Sequence, residues 1–353
     1  MIVTGLLCGA LLGFVMQRGR FCLTGGFRDM FLAKDYRMFY ALLIAIVIQS
    51  IGVFALIQMG LIQFKAGAFP WLGTIIGSFV FGIGIVLAGG CATGTWYRAG
   101  EGLIGSWISL FAYMLMSAIM KSGVLVPLGD SFKAYTLPTN SIPATFGTSV
   151  WPFIVIVALI TVYFVFKHLR KPKVAIPSLP AKRSGLAHLL FEKRWHPFAT
   201  AIAVGLIALL AWPLSEATGR MSGLGITTPS ANILQYLVTG NSEKYINWGV
   251  FLVLGILLGS FIAAKASREF RFRVPDAKVA VSSFSGGILM GFGASLAGGC
   301  SIGNGLVMTA MMTWQGWISL LFIILGTWTA SYFVYVRPRI QARKQQSARI
   351  TTA

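Results

Sequence analysis

Long apolar stretches alternate with short basic clusters along the whole chain. Uncharged runs cover Met1–Gln17, Met38–Phe64, Ala66–Tyr97, Gly102–Met120, Ala134–Phe166, Trp195–Ser215, Met221–Ser242, Tyr245–Ala264 and Val279–Val336. Each is near or above the ~20 residues that a helix needs to cross a bilayer. The last is too long for one crossing and holds two. Met221–Ser242 is polar and interrupted by Gly223, Gly225, Thr227, Thr228, Pro229 and Asn232, so it reads as a loop or a re-entrant segment. The pattern therefore predicts nine spans, at 3–17, 37–60, 71–88, 102–120, 148–167, 197–214, 246–264, 280–297 and 315–336.

Charge then orients the spans. Of the 29 basic residues, 23 fall in four groups: Arg18, Arg20, Arg28, Lys34 and Arg37; Lys167, Arg170, Lys171, Lys173, Lys182, Arg183, Lys193 and Arg194; Lys265, Arg268, Arg271, Arg273 and Lys278; and Arg337, Arg339, Arg343, Lys344 and Arg349. Placing all four in the cytoplasm satisfies the positive-inside rule. It puts the N-terminus outside and the C-terminus inside. The first apolar run has no basic residue before it, so it reads as a span and not as a signal peptide. Cys8 within it reads as a packing residue.

Composition closes off other classes. Only 11% of residues are charged and 56% are hydrophobic, whereas an ordinary soluble domain carries about 25% charge. A soluble enzyme, a disordered chain and a secreted disulfide scaffold are excluded. The net charge of +20, from 29 Lys and Arg against 9 Asp and Glu, sits in the short loops between spans and does not indicate a nucleic-acid partner. Four cysteines are too few for a disulfide framework.

The chain also repeats itself. Gly82–Cys91 aligns with Gly291–Cys300, identical at seven of ten positions with an offset of 209. Gly94 matches Gly303, and Trp107-Ile108-Ser109-Leu110 matches Trp317-Ile318-Ser319-Leu320. Gly19-Arg20-Phe21-Cys22 aligns more weakly with Gly219-Arg220-Met221-Ser222. The reading is a tandem duplication with residues 1–147 as the first repeat and 197–336 as the second. Residues 148–196 hold a linking span and basic linker, and 337–353 form a basic tail. The extra span turns the second repeat over. Inverted repeats are the architecture of secondary transporters, with the substrate site near the midplane, and a channel could share it.

Four polar, Gly-rich stretches interrupt the apolar sequence: Phe21–Phe27, Gly89–Thr95, Gly223–Thr228 and Gly298–Gly305. Broken helices at membrane depth are tolerated only where they are buried in protein or line a cavity. Their N-terminal amides suit an anion. The plainer reading, that such glycines are packing notches, holds for a single pair better than for a Gly-Gly-Cys repeated in register. Cys22, Cys91 and Cys300 each sit in a break. Three thiolates could bind a soft metal, yet no Cys-x-x-Cys or nearby His accompanies them. A disulfide catalyst prefers paired, exposed thiols. A soft donor site for a sulfur-bearing substrate is the remaining reading. Arg98 and Glu101 read as an interfacial pair at a span end, with a role in admitting anions as the alternative. Glu216 and Arg220 invite a similar pairing.

The segments Gln17–Asp29, Ala88–Gly102 and Ala297–Gly305 resemble the YeeE/YedE family of bacterial sulfur-transport membrane proteins. The likeness runs essentially end to end. It implies an all-α polytopic inner-membrane permease for thiosulfate, shaped like an hourglass, with Cys22, Cys91 and Cys300 at the constriction. It also implies a small cytoplasmic sulfur-handling partner resembling the TusA carriers, and no cofactor. The substrate-facing residues expected beside the thiols are Thr24, Gly25, Gly26, Gly89, Gly90, Thr93, Gly94, Gly298, Gly299, Ser301, Gly303 and Asn304. The backbone amides and the Thr, Ser and Asn side chains would meet the sulfonate oxygens. The basic linker would meet that partner or anionic lipid.

Overall fold

Helices make up nearly all the regular structure in the computed structural model, which describes residues 2–64, 66–170, 185, 188–240 and 242–351. The centre of the basic linker, with Lys171, Lys173, Lys182 and Arg183, lies outside the described residues. Among those described, nine helical segments are long and apolar enough to cross a bilayer, and each contains or overlaps one of the nine expected spans. The protein is thus an all-α multi-pass membrane protein. Among the described residues the one two-stranded sheet pairs Phe69–Pro70 with Thr136–Leu137, beside two isolated bridges, Leu103 with Arg273 and Ser141 with Thr313.

Two of the spans are broken where the Gly-rich stretches fall. The first is α1 (Val3–Gly19) followed by α2 (Leu23–Leu32), and the third is α4 (Trp71–Leu87) followed by α5 (Ala92–Gly100). Between and after them run α3 (Arg37–Gln58) and α6 (Ile104–Ser122). The peripheral α7 (Trp151–Leu169) packs on α3, and its membrane window is only 11% buried. Beyond the linker come α8 (Pro197–Glu216), α9 (Thr227–Thr239), α10 (Trp248–Ala266), α11 (Ala277–Leu296) and α12 (Trp314–Ser331). A π-helical turn, Gly303–Met308, follows α11 across the fourth break. The open reading of Met221–Ser242 resolves into a loop and then α9, whose 13 residues span about 20 Å, short of a crossing.

Several helices start behind a side-chain cap. Pro197 opens α8 behind His196, whose Nδ1 accepts from Phe198 N at 3.2 Å. Asn247 Oδ1 accepts from Gly249 N at 3.0 Å ahead of α10, and Thr313 Oγ1 from Gly316 N at 3.1 Å ahead of α12. Each satisfies a first-turn amide that would otherwise be orphaned.

Packing rests on small residues. Gly5, Gly9 and Gly13 on α1 meet Trp248, Leu252 and Ile256 on α10, and a Cβ on Gly9 would lie 3.0 Å from Gly255 Cα. This is the small-xxx-small crossing that membrane helices use in place of a hydrophobic driving force. Contacts come in matched sets. α1 packs on α10 as α8 packs on α3, α6 on α11 as α12 on α4, and α9 on α6 as α2 on α12. α1 with α8, and α4 with α11, meet at the centre.

Candidate functional site

Each break exposes helix ends inside the protein. Gly89 and Gly298 take the same left-handed conformation, φ +70° and +76°, which a Cβ would disfavour. That turn swings the chain so that Cys91 becomes the N-cap of α5. Its Sγ accepts from Gly94 N at 3.4 Å. Cys22 is the N-cap of α2. All four cysteines are unpaired and buried. By position before the following helix, Cys22 corresponds to Ile226, and the alignment with Ser222 falls four residues short because the second loop is longer.

Two vestibules approach the thiols from opposite ends of α8. One, of about 770 Å³, is lined by Arg20, Cys22, Gly25, Gly26, Tyr97, Arg98, Arg37, Lys193 and Arg194, near the start of α8 at Pro197. The other, of about 210 Å³, reaches Trp212, Arg220, Gly298, Gly299, Cys300, Gly303 and Asn304. Pro197 and Trp212 are about 23 Å apart along that helix. Cys22 faces the first vestibule and Cys300 the second, while Cys91 is fully buried and lines neither.

The Cys22 and Cys91 thiols stand beside one another. A Cβ on Gly94 would lie 3.4 Å from Cys91 Sγ and 3.7 Å from Cys22 Sγ, so the absent side chain leaves an open gap facing both sulfurs. Ser301 stands beside the Cys91 thiol. On the other side, Thr227 lies within reach of the Cys300 thiol and takes a hydrogen bond from Tyr113 Oη at 2.9 Å. Among the described residues no three His, Cys, Asp or Glu side chains sit together as a metal site would need.

The buried hydroxyls of Thr24, Thr93 and Ser301 make no hydrogen bond among the described residues. Buried polar groups normally do, and three such orphans in three breaks leave donors free for a polar ligand. Gly25 and Gly303 face open space, whereas Gly26 and Gly299 are packed against Met38 and Asn304, and Gly90 has Arg98 Nη1 at 3.5 Å from where its Cβ would be. Asn304 departs from the expectation. Its Nδ2 donates to Ala297 O at 2.9 Å and to Ser319 Oγ at 3.0 Å. The amide braces the fourth break, aided by Gln315 Nε2 on Ala297 O at 3.0 Å, and has no N–H left for a ligand.

The charged residues also rearrange the sequence reading. Glu101 does not pair with Arg98. It binds Arg20 at 2.6 Å, and Arg20 also binds Glu269 at 2.7 Å. Arg18 and Gln17 reach Glu269 as well, at 3.5 and 2.8 Å. Arg98 instead donates to Gly89 O at the first Gly-Gly-Cys break. Arg220 makes no ion pair with Glu216, whose carboxylate takes Gln63 N at 3.1 Å. Arg220 donates to Gly223 O at 3.3 Å, and burial pulls its guanidinium down to about 10. Sequence reasoning missed Tyr113 and the role of Thr227. Thr227 lies in the third Gly-rich stretch, but a lone mid-span Tyr gives no signal.

Comparison with known proteins adds to this geometry. The profile of a family described as sulphur transport matches residues 18–329. The chain is 69% identical over 348 residues to the thiosulfate transporter TsuA of Escherichia coli K12, covering 99% of each. It is 35% identical to a thiosulfate transporter TsuA of Spirochaeta thermophila, over 96% of this chain and 100% of that one. A shorter match, 38% over 129 residues, is to the probable transporter YedE of Escherichia coli K12, covering 36% of this chain and 30% of that one.

Proposed function

The chain belongs to the sulphur-transport family, and from that membership we propose that it is a bacterial inner-membrane permease that imports thiosulfate through the constriction between its two vestibules. The observation that carries the reading is the arrangement of the thiols: Cys22 lines one vestibule, Cys300 lines the other, and the fully buried Cys91 stands beside Cys22 and Ser301. A terminal sulfur arriving at Cys300 passes Cys91 and leaves by Cys22, in contact with S–H groups throughout. The sulfonate oxygens meet the free hydroxyls of Thr24, Thr93 and Ser301 and first-turn amides of the broken helices. Gly25, Gly26, Gly89, Gly90, Gly94, Gly298, Gly299 and Gly303 shape the path. Asn304 holds the fourth break open from behind.

The two-repeat organisation, 1–147 and 197–336, belongs to the same proposal and is supported by the matched helix packing. So does the orientation, with the N-terminus periplasmic and the larger, arginine-lined vestibule opening to the cytoplasm. A dianion entering an inside-negative cell climbs about 4.6 kcal/mol per 100 mV. None of the nine carboxylates lies mid-span, so no acidic proton relay offsets that cost. Capture by a cytoplasmic TusA-like protein would supply direction without a coupled ion.

The test is thiosulfate uptake by proteoliposomes holding the purified protein alone, with and without an imposed potential or pH gradient. Uptake that follows the thiosulfate gradient supports a conduit. A strict need for an ion gradient replaces that mechanism with a coupled one. Stronger uptake of another sulfur or selenium oxyanion corrects the substrate. Release of sulfite from thiosulfate by the purified protein makes it a sulfur-transfer enzyme.

A further inference from the structure

Of the four arginines lining the vestibule with Cys22, Arg98 and Arg194 have no acidic partner among the described residues, and of these two Arg98 also bonds the Gly-Gly-Cys break. Arg20 is held by Glu101 and Glu269, and Arg37 by Asp35 at 2.6 Å. Arg98 has no carboxylate within ion-pair distance among the described residues. The acid nearest it in sequence, Glu101, is spent on Arg20. Yet Arg98 lines the vestibule with Cys22 and Tyr97. It stands seven residues after Cys91 on α5, a spacing that keeps both on one helix face.

Bracing the break does not explain the choice of arginine. The matching Gly-Gly-Cys break is braced by the neutral amides of Asn304 and Gln315. At the first break the carbonyl of Gly89 takes one N–H of Arg98, out of the five that a guanidinium carries. Gly25 and Gly26 of the first turn of α2 line the same vestibule. The Gly25 position is open, and Thr24 Oγ1 is buried without a partner. A cation and the first turn of a helix therefore line one vestibule together with one thiol.

We propose that Arg98 holds the substrate dianion at the Cys22 end of the thiol path and sets the preference for doubly over singly charged sulfur anions. The inference rests on the permease reading. Its physical basis is that the thiols respond to soft sulfur whatever the ligand's charge, while Coulomb attraction doubles when the ligand charge doubles. The Arg98 guanidinium thus separates thiosulfate from thiocyanate, which offers soft sulfur and a single charge. Its planar fork also suits two sulfonate oxygens at once.

The test compares full-length wild type, Arg98→Gln and Arg98→Lys in proteoliposomes. It reads KM and maximal rate for thiosulfate, inhibition by thiocyanate, and the melting temperature. In Arg98→Gln, KM for thiosulfate rises about tenfold or more, and thiocyanate becomes the better competitor relative to thiosulfate. Arg98→Lys keeps the charge and a donor for Gly89 O, so it retains the dianion preference with a smaller rise in KM. A lower maximal rate or melting temperature, with KM and the thiocyanate ratio unchanged, makes Arg98 a brace only and overturns the assignment. If Arg98→Gln fails to fold, loss of the dianion preference in a folded Arg98→Lys does the same. Wild type that takes up no thiosulfate overturns the permease reading and this assignment with it, a result distinct from a defect confined to the variants.

Discussion

Gly94→Ala should leave the fold intact and close the path. Gly94 is the third residue of α5, and its N–H donates to Cys91 Sγ. An added Cβ meets only Cys91 Sγ at 3.4 Å and Cys22 Sγ at 3.7 Å within 4 Å. Both are ordinary van der Waals contacts, so the empty protein accepts the methyl without movement. Replacing Gly by Ala inside a helix is worth about 0.5–1 kcal/mol, and burying the methyl adds about 0.8 kcal/mol. The melting temperature should hold or rise by a few degrees. Transport behaves in the opposite way. On the proposed path, the methyl fills the gap that a passing sulfur needs between the two thiols. Overpacking costs about 1–3 kcal/mol, and imposed only on the occupied constriction it slows passage roughly five- to 150-fold. The assay is labelled thiosulfate uptake by proteoliposomes beside a thermal melt. A stable Gly94→Ala protein with wild-type uptake would move the path away from the Cys22–Cys91 gap. A variant melting well below wild type would show that the gap is not open space.

Three further outcomes are expected. Cys91→Ala and Cys300→Ala, correctly folded, abolish growth on thiosulfate as sole sulfur source, whereas Cys8→Ala, buried on α1 away from both vestibules, does not; normal growth of either of the first two removes the direct-contact role. Gly298→Ala destabilises more than Gly89→Ala, because both incur the left-handed penalty of about 1–2 kcal/mol but only Gly298 also drives its Cβ to 2.8 Å from Gln315 Nε2; equal melting temperatures contradict this. The Asp35 carboxyl is held below its usual range, chiefly by its hydrogen bonds from Arg37, so its stabilising effect is present above the unfolded value of about 3.9 and is lost as pH falls through the folded one. Asp35→Asn therefore lowers stability at pH 7 by no more than about 1 kcal/mol, and its melting curve converges with wild type in acid; a difference that persists or grows there contradicts the ion-pair account.

Local pattern alone determined the nine crossings, the four breaks and the three thiols inside them. The physical reason is that a bilayer forces each segment to satisfy its own backbone, so apolar length and Gly-rich interruption translate directly into helices and broken helices. The duplicated Gly-Gly-Cys likewise marked two matching turns, which take nearly the same φ at Gly89 and Gly298. Partnership between segments was not legible. Cys22 and Cys91 lie 69 residues apart in sequence, and only the packing of α1, α4 and their continuations brings their sulfurs together. Glu101 sits three residues from Arg98 but pairs with Arg20, because the break after α1 delivers that arginine to it. Asn304 looked like a ligand donor by its place in the motif, and the neighbouring carbonyl of Ala297 and hydroxyl of Ser319 claimed its amide instead. Tertiary structure decided these matters because a polar group buried in a membrane protein bonds to whatever donor or acceptor the packing brings within reach, however far away along the chain.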